Sequence, residues 1–454
     1  MLRTRFPTAH HFTVSLFGCQ YHAPSPDASK RALIQRFDKL VKNAATHVEE
    51  LEQNDLPSKV WMSYWKSPQH FKAWWERPDV VAFWAALPND AGFWRETVSL
   101  PATRAMYESN GQSPQGSGHC GDLVPLTEKM GCWGAYRSRS MFFPRSLQHP
   151  ANTPINSPLT QIVSNVLVTQ DTPDDKFSSP QSALPEPKPL SDQIRPGRTR
   201  ITKFPDNICF MVEGQDFSAM PTYERDYWDE NFDGLSKQWI TNVMTAGAAK
   251  GLISGHACHA FGGGKQLGAS KVANKKEINN TKSATPTMPE KPNGGILVDH
   301  PQPATRTNGH EKGTPDSGSV TKFNGSGRES SYCSSSSTLF PGLDYIRQAQ
   351  LLFWLDFSHI EHLARYDKAH VKLRRDFLAA YGPGGVMEGG DLLLWVDMGI
   401  LKGDEMDAEY VGCYEGTGFL AYDHDAAFES RREAESAGLP VFFDEPQESK
   451  PMEW

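Results

Sequence analysis

The run FTVSLFGCQ (residues 12–20) is apolar almost throughout and closes on glycine and glutamine, the pattern of a buried strand. From 28 to 51 the spacing changes, and Leu33, Phe37, Leu40, Val41, Ala44 and Val48 recur at helical intervals. VWMSYW (60–65) returns to a strand pattern. Ser67 and Pro68 then supply an N-cap and an N1 proline for a helix in SPQHFKAWWE. GFWRETVSL (92–100) predicts a further strand. This alternation predicts an α+β sandwich, with helices covering one face of an antiparallel sheet.

The pattern then starts again. NICFMVEGQDFS (207–218) is another strand ending near Gly–Gln, and a long helix follows over 222–249, anchored by Tyr227, Trp239 and Val243. The repetition predicts a duplicated ferredoxin-like unit. Two stretches interrupt it. Residues 144–200 are rich in Pro, Ser and Gln, and residues 263–338 hold almost no aromatic or aliphatic clusters. Such composition cannot bury enough surface to offset chain entropy, so both are expected to be long, disordered insertions. The expected boundaries are 1–143 for the first half, 144–200 for a low-complexity insertion, 201–262 with 339–454 for the second half, and 263–338 for a disordered insertion.

RYDKAHVKLRRDF (365–377) places a histidine inside an amphipathic helix that Ser358-x-x-Glu361 would open as a capping box. At about 100° per residue, Leu363, Tyr366, Leu373 and Phe377 fall within about 60° of His370, while Lys368, Lys372 and Arg375 lie on the far side. Two readings stay open on these residues. His370 is a core histidine that satisfies a backbone carbonyl, or it is an axial ligand to a large apolar cofactor such as haem.

Composition narrows the classes. The chain has 454 residues, 38% hydrophobic and 22% charged, with a net charge of −8 that argues against general nucleic-acid binding. Seven scattered cysteines form no CxxC pair, which fits a reducing compartment rather than a disulfide framework. HACH (256–259) offers ligand types, but no second cluster completes a metal site. No apolar run reaches 18 residues and the N-terminus has no signal-like apolar core, so a cytoplasmic protein without a membrane span is expected.

Four stretches, in order, resemble the haem-containing aldoxime dehydratases of the phenylacetaldoxime dehydratase type. GCWGAYRSRSM (131–141) resembles their Gly-Tyr-Trp-Gly…Arg-Asp-Arg segment, and NICFMVEGQDFS their Asn-Leu-Cys-(Leu/Phe)-Ile-Arg-Ser-Gly-Gln-Asp-Trp-Ser strand. HLARYDKAH resembles their Leu-Glu-Arg-Trp-Ala-x-Ser-His helix, and EYVGCYEGTGFLAYDH (409–424) their closing Thr-Gly-(Met/Phe)-Leu stretch. FGCQY near the N-terminus also fits.

The resemblance implies a lyase (a carbon–nitrogen lyase of the aldoxime dehydratase type) that turns R–CH=N–OH into R–CN and water, a step of nitrile biosynthesis, on ferrous haem b. It implies that His370 is the proximal iron ligand; Arg374, about 40° from it on the helical wheel, is then a candidate for a haem propionate. Where the family helix commonly reads His-Pro-x-His, the second position here is Leu373. Ser218 matches the family serine, and Arg139, with Arg137 beside it, matches the arginine that holds the departing oxygen. Without the resemblance, Ser218 reads as an N-cap or loop residue, Arg139 or Arg137 as a salt-bridge residue, and Arg374 as a solvated arginine.

One departure is serious. The family's distal strand reads Leu-Tyr-His-Glu-Val-Ser-Val-Leu, and LLWVDMGIL (393–401) puts Val396 at the histidine. General acid assistance is worth about 10²–10⁴ in rate, so dehydration is expected to be impaired. Asp397 is adjacent but should face away, because side chains alternate across a strand. The expectation is a duplicated ferredoxin-like α+β fold, forming a β-barrel flanked by helices, with an aldoxime as small-molecule substrate and no nucleic-acid or membrane partner. The chain is compatible with a homodimer. The rivals are a haem-binding protein without dehydratase activity and a non-haem interaction protein.

Overall fold

The computed structural model describes residues 2–6, 10–53, 55–125, 178–262 and 339–433. The first half contributes β1 (Leu2–Arg5), β2 (His11–Gln20), α1 (Ala28–Val41), β3 (His47–Gln53), β4 (Ser58–Trp65), α2 (Pro68–Trp75), α3 (Pro78–Ala85), β5 (Phe93–Pro101), β6 (Ala105–Ser109) and β7 (Asp122–Pro125). The second contributes β8 (Arg198–Lys203), β9 (Ile208–Asp216), α4 (Thr222–Asn231), α5 (Asp233–Met244), β10 (Leu252–Ala260) and β11 (Arg347–Trp354). It continues through α6 (Phe357–Tyr366), α7 (Lys368–Tyr381), β12 (Leu393–Leu401), β13 (Met406–Val411) and β14 (Glu429–Glu433).

All fourteen strands join one antiparallel sheet in the order β14-β8-β13-β5-β2-β4-β3-β10-β11-β9-β12-β6-β1-β7. The blocks β5-β2-β4-β3 and β12-β9-β11-β10 have the same internal order, and each is built as strand–helix–strand–strand–helix–strand. They meet edge to edge through β3 and β10, and each lends its next strand to the other: β13 pairs with β5, and β6 with β12. The same detail recurs at matching positions. Gly18 of β2 faces Trp94 of β5, and Gly214 of β9 faces Trp395 of β12; at either glycine a Cβ would collide with the indole. Among the described residues the expected barrel is not closed by hydrogen bonds, because the sheet keeps two ends, at β14 and β7.

One face of the sheet packs on itself, bringing Leu16, Met62 and Val98 of the first half into one core with Phe210, Phe353 and Trp395 of the second. The other face carries the helices. Beneath α1–α3 lies an aromatic layer that includes Phe17, Phe37, Trp61, Trp74 and Trp84. Beneath α5–α7 lies a second layer with Met211, Trp239, Leu352, Trp354 and Met398. Among the described residues no helix is long and apolar enough to cross a membrane.

Four expectations change. The helix expected over 28–51 stops at Val41, and 47–53 is β3. Positions four apart share a face in both a helix and a strand, so Ala44 and Val48 mimic helical spacing while Glu49, Leu51 and Gln53 alternate inward. The helix expected over 222–249 breaks at Phe232 into α4 and α5, and Trp228 rather than Tyr227 is the buried anchor of α4. The capping box at Ser358 is replaced by Asp356, whose carboxylate accepts the Ser358 and His359 N–H groups at 2.8 and 3.3 Å. Residues 178–200, the described end of the first expected insertion, are irregular until β8 but not free. Ser191 N–H donates to Glu415 O at 3.0 Å, and the Arg195 guanidinium pairs with Glu415 at 2.8 Å and Asp423 at 2.5 Å. The second insertion and the rest of the first lie outside the described residues.

Candidate functional site

His370 owes its position to a second break. Asp367 ends α6 and caps α7, accepting the His370 N–H at 2.8 Å, so the ring sits in the first turn of α7. The break also changes the helical phase, which leaves Tyr366 67% exposed instead of on the His370 face. The ring lies 4.3 Å from that of Trp239 on α5, and burial pushes the imidazole below its ordinary range. Its Nδ1 is 2.6 Å from the carbonyl of Ala364, which fixes Nδ1 as the donor.

This bond is the carbonyl contact expected of a core histidine, and it is equally compatible with the ligand reading. A carbonyl on Nδ1–H holds the ring and leaves the lone pair on Nε2, the usual arrangement behind a ligating histidine. Among the described residues Nε2 makes no hydrogen bond. Leu363, Leu373 and Val396 are half-buried and pack on the same apolar cluster as Trp239. A neutral, oriented imidazole against an apolar layer fits axial ligation of a haem. Arg374, four residues on, is half-buried and has no ion pair among the described residues, which fits a propionate partner.

The sheet under α5–α7 carries an unexpected row. Register places Gln350 of β11 opposite Glu213 of β9, Glu213 opposite Val396 of β12, and Val396 opposite Glu108 of β6. Directly opposed residues share a face, so the valine at the expected histidine position sits between two carboxylates. Glu213 accepts the Trp239 indole N–H at 3.0 Å, and burial raises its carboxyl to about 7. The sequence offered a signal for it: a lone glutamate within an apolar strand, at the same parity as Met211.

Ser218 follows β9, is exposed, and donates its N–H to Asp216 at 2.8 Å; it is not an N-cap, since Pro221 precedes α4. Arg139 and Arg137 lie outside the described residues. Asp397 faces the opposite side of the sheet from Val396, as alternation requires, and is held by the Tyr64 hydroxyl at 2.8 Å and by the Ser117 N–H and hydroxyl. HACH lies on β10, where alternation separates His256 and Cys258 from Ala257 and His259. Among the described residues no cluster of metal ligands occurs. The five described cysteines are free and buried.

Burial also raises Glu96 and Asp397 to about 7, while it lowers His22, His119, His256 and His259 to about 4. The two sets oppose each other. Each raised carboxyl stabilises fully below the unfolded value of about 4, and this is lost as pH rises to about 7. Each lowered imidazole stabilises fully above about 6.5, and this is lost as pH falls to about 4. Glu96→Gln isolates one carboxyl: the amide oxygen can still accept the Tyr410 hydroxyl, 2.6 Å from the native carboxylate, and cannot ionise. Urea unfolding at pH 4.5 and pH 7.5 should show the variant gaining stability relative to wild type at the higher pH. An unchanged difference would contradict the assignment.

A model of the haem-containing dehydratase family matches residues 15–161 and 168–419. No curated protein matches the sequence. Among solved structures, an aldoxime dehydratase crystallised in complex with butyraldoxime is similar with a TM-score of 0.57 at 14% identity, over 92% of this chain and 88% of that one. A second aldoxime dehydratase structure gives 0.56 at 15% identity, over 92% and 90%. At such identities the likeness is one of fold.

Proposed function

Since the chain belongs to the haem-containing dehydratase family, we propose that it dehydrates aldoximes to nitriles with haem b, ferrous when active, held by His370. The observation that carries this reading is the His370 ring, tied through Nδ1–H to Ala364 and bare at Nε2 among the described residues. Arg374 would hold a propionate, and Leu373 and Val396 would border the macrocycle. In the same reading Ser218 and Arg139, with Arg137 beside it, hold the oxime oxygen. The two matching strand blocks descend from a duplicated ferredoxin-like unit.

The reaction is redox-neutral overall. The N–O bond breaks with its pair leaving on oxygen, the C–H pair becomes the third C–N bond, and two protons end on water. When bound, ferrous haem supplies a coordination position for the oxime nitrogen and electron density to it. The protein must orient the substrate, exclude bulk water and move a proton from carbon to oxygen. The apolar layer of Trp239, Leu373 and Val396 serves the second need. Haem-loaded, reduced protein mixed with phenylacetaldoxime without oxygen should form phenylacetonitrile. Its absence, with haem bound, would favour the second reading that Val396 supports, a haem protein without dehydratase activity.

A further inference from the structure

We propose that Glu213 is the general acid of this site, delivering the proton to the departing oxime oxygen in place of the side chain that Val396 cannot provide. The proposal rests on the dehydratase reading and adds to it a residue that the family pattern, which has serine at this position, does not supply. Three observations carry it. Glu213 is the direct cross-strand partner of Val396, on the helix-facing side of the sheet. A single side chain, Trp239, reaches from its carboxylate (3.0 Å) to the His370 ring (4.3 Å), so ligand and carboxyl belong to one packed unit. On its other flank, Gln350 is buried and its side-chain N–H₂ has no partner among the described residues, leaving a second donor beside the carboxyl.

The surroundings suit an acid. Among the described residues, the groups placed against Glu213 are Val396 from β12, Gln350 from β11 and Trp239 from α5, none of them ionisable. Glu108 lies one strand further, beyond Val396. With no cation among the described residues to hold the charged form, burial keeps the carboxyl protonated to near neutrality, where a general acid works best. In the step, the Glu213 proton passes to the oxime oxygen as the N–O bond breaks, releasing water. The carboxylate left behind then takes the proton lost from carbon, which restores the acid and balances the cycle.

Glu213→Gln keeps an acceptor for Trp239 and removes the transferable proton. With haem loading and aldoxime binding spectra unchanged, its turnover should fall by about 10²–10⁴. Glu213→Asp should restore part of it, and adding Val396→His to Glu213→Gln should restore more. Apart from activity, wild-type protein without haem should show protonated-carboxyl infrared absorbance that titrates near pH 7, to which Glu96 and Asp397 also contribute, and the difference between wild type and Glu213→Gln should isolate the Glu213 band. Trp239→Phe removes the donor that favours the charged form, so that titration should move upward. Wild-type turnover in haem-loaded Glu213→Gln, or an unaltered infrared titration, would overturn the proposal and leave the dehydratase reading standing. A haem-loaded wild type that forms no nitrile would overturn both.

Discussion

His370→Ala should lose haem while keeping its fold. The native ring contributes one neutral hydrogen bond, to Ala364, and one ring contact, with Trp239, at a half-buried position. Losing these costs about 1–2 kcal/mol, within what a domain of this size tolerates. Haem affinity behaves differently. Disturbing the groups behind a metal ligand already costs about 10–100-fold, so deleting the ligand itself should cost more. Far-ultraviolet circular dichroism should match wild type, and a haem titration should give no saturable Soret band. A wild-type Soret band in His370→Ala would place the iron on another side chain.

Asp397→Ala should do the reverse, unfolding the protein readily without touching the haem spectrum. The carboxyl is buried on the self-packed face of the sheet and satisfies the Tyr64 hydroxyl together with the Ser117 N–H and hydroxyl. Truncation leaves those donors buried without an acceptor at about 1–3 kcal/mol each, partly relieved by relaxation, for a loss of about 3–5 kcal/mol. Denaturant unfolding measures it. Asp397→Asn keeps an acceptor and should lose less. If instead Asp397→Ala were stable and inactive, Asp397 rather than Glu213 would be the acid, and the facing of β12 would have to be reversed.

How much of this was legible in the sequence follows from which physics each residue obeys. β2, β4, β5 and β9 were readable because apolar runs closed by turn residues leave few alternatives, whereas β12 was placed by the family resemblance. The recurrence of a strand followed by a helix was readable for the same reason, through two strands that end alike. The breaks at Phe232 and Asp367 were not, since each falls within a continuous 3.6-residue pattern and is decided by packing and by one capping carboxylate. His370 stood out as a lone imidazole on an apolar stripe. Its Nδ1 bond to Ala364 depends on that break and had no trace in the spacing. Glu213 escaped because it belongs to a cross-strand pair. Register between β9 and β12, 183 residues apart at Glu213 and Val396, cannot be read from either strand alone.

The central claim, that this chain holds haem through His370, is tested most directly by titrating the purified wild-type protein with haem and recording absorbance. The expected result is a Soret band that saturates at a single haem per chain and shifts when an aldoxime is added to the reduced protein. Absorbance no different from free haem at every ratio would contradict it, leaving His370 a core histidine and the chain a non-haem interaction protein.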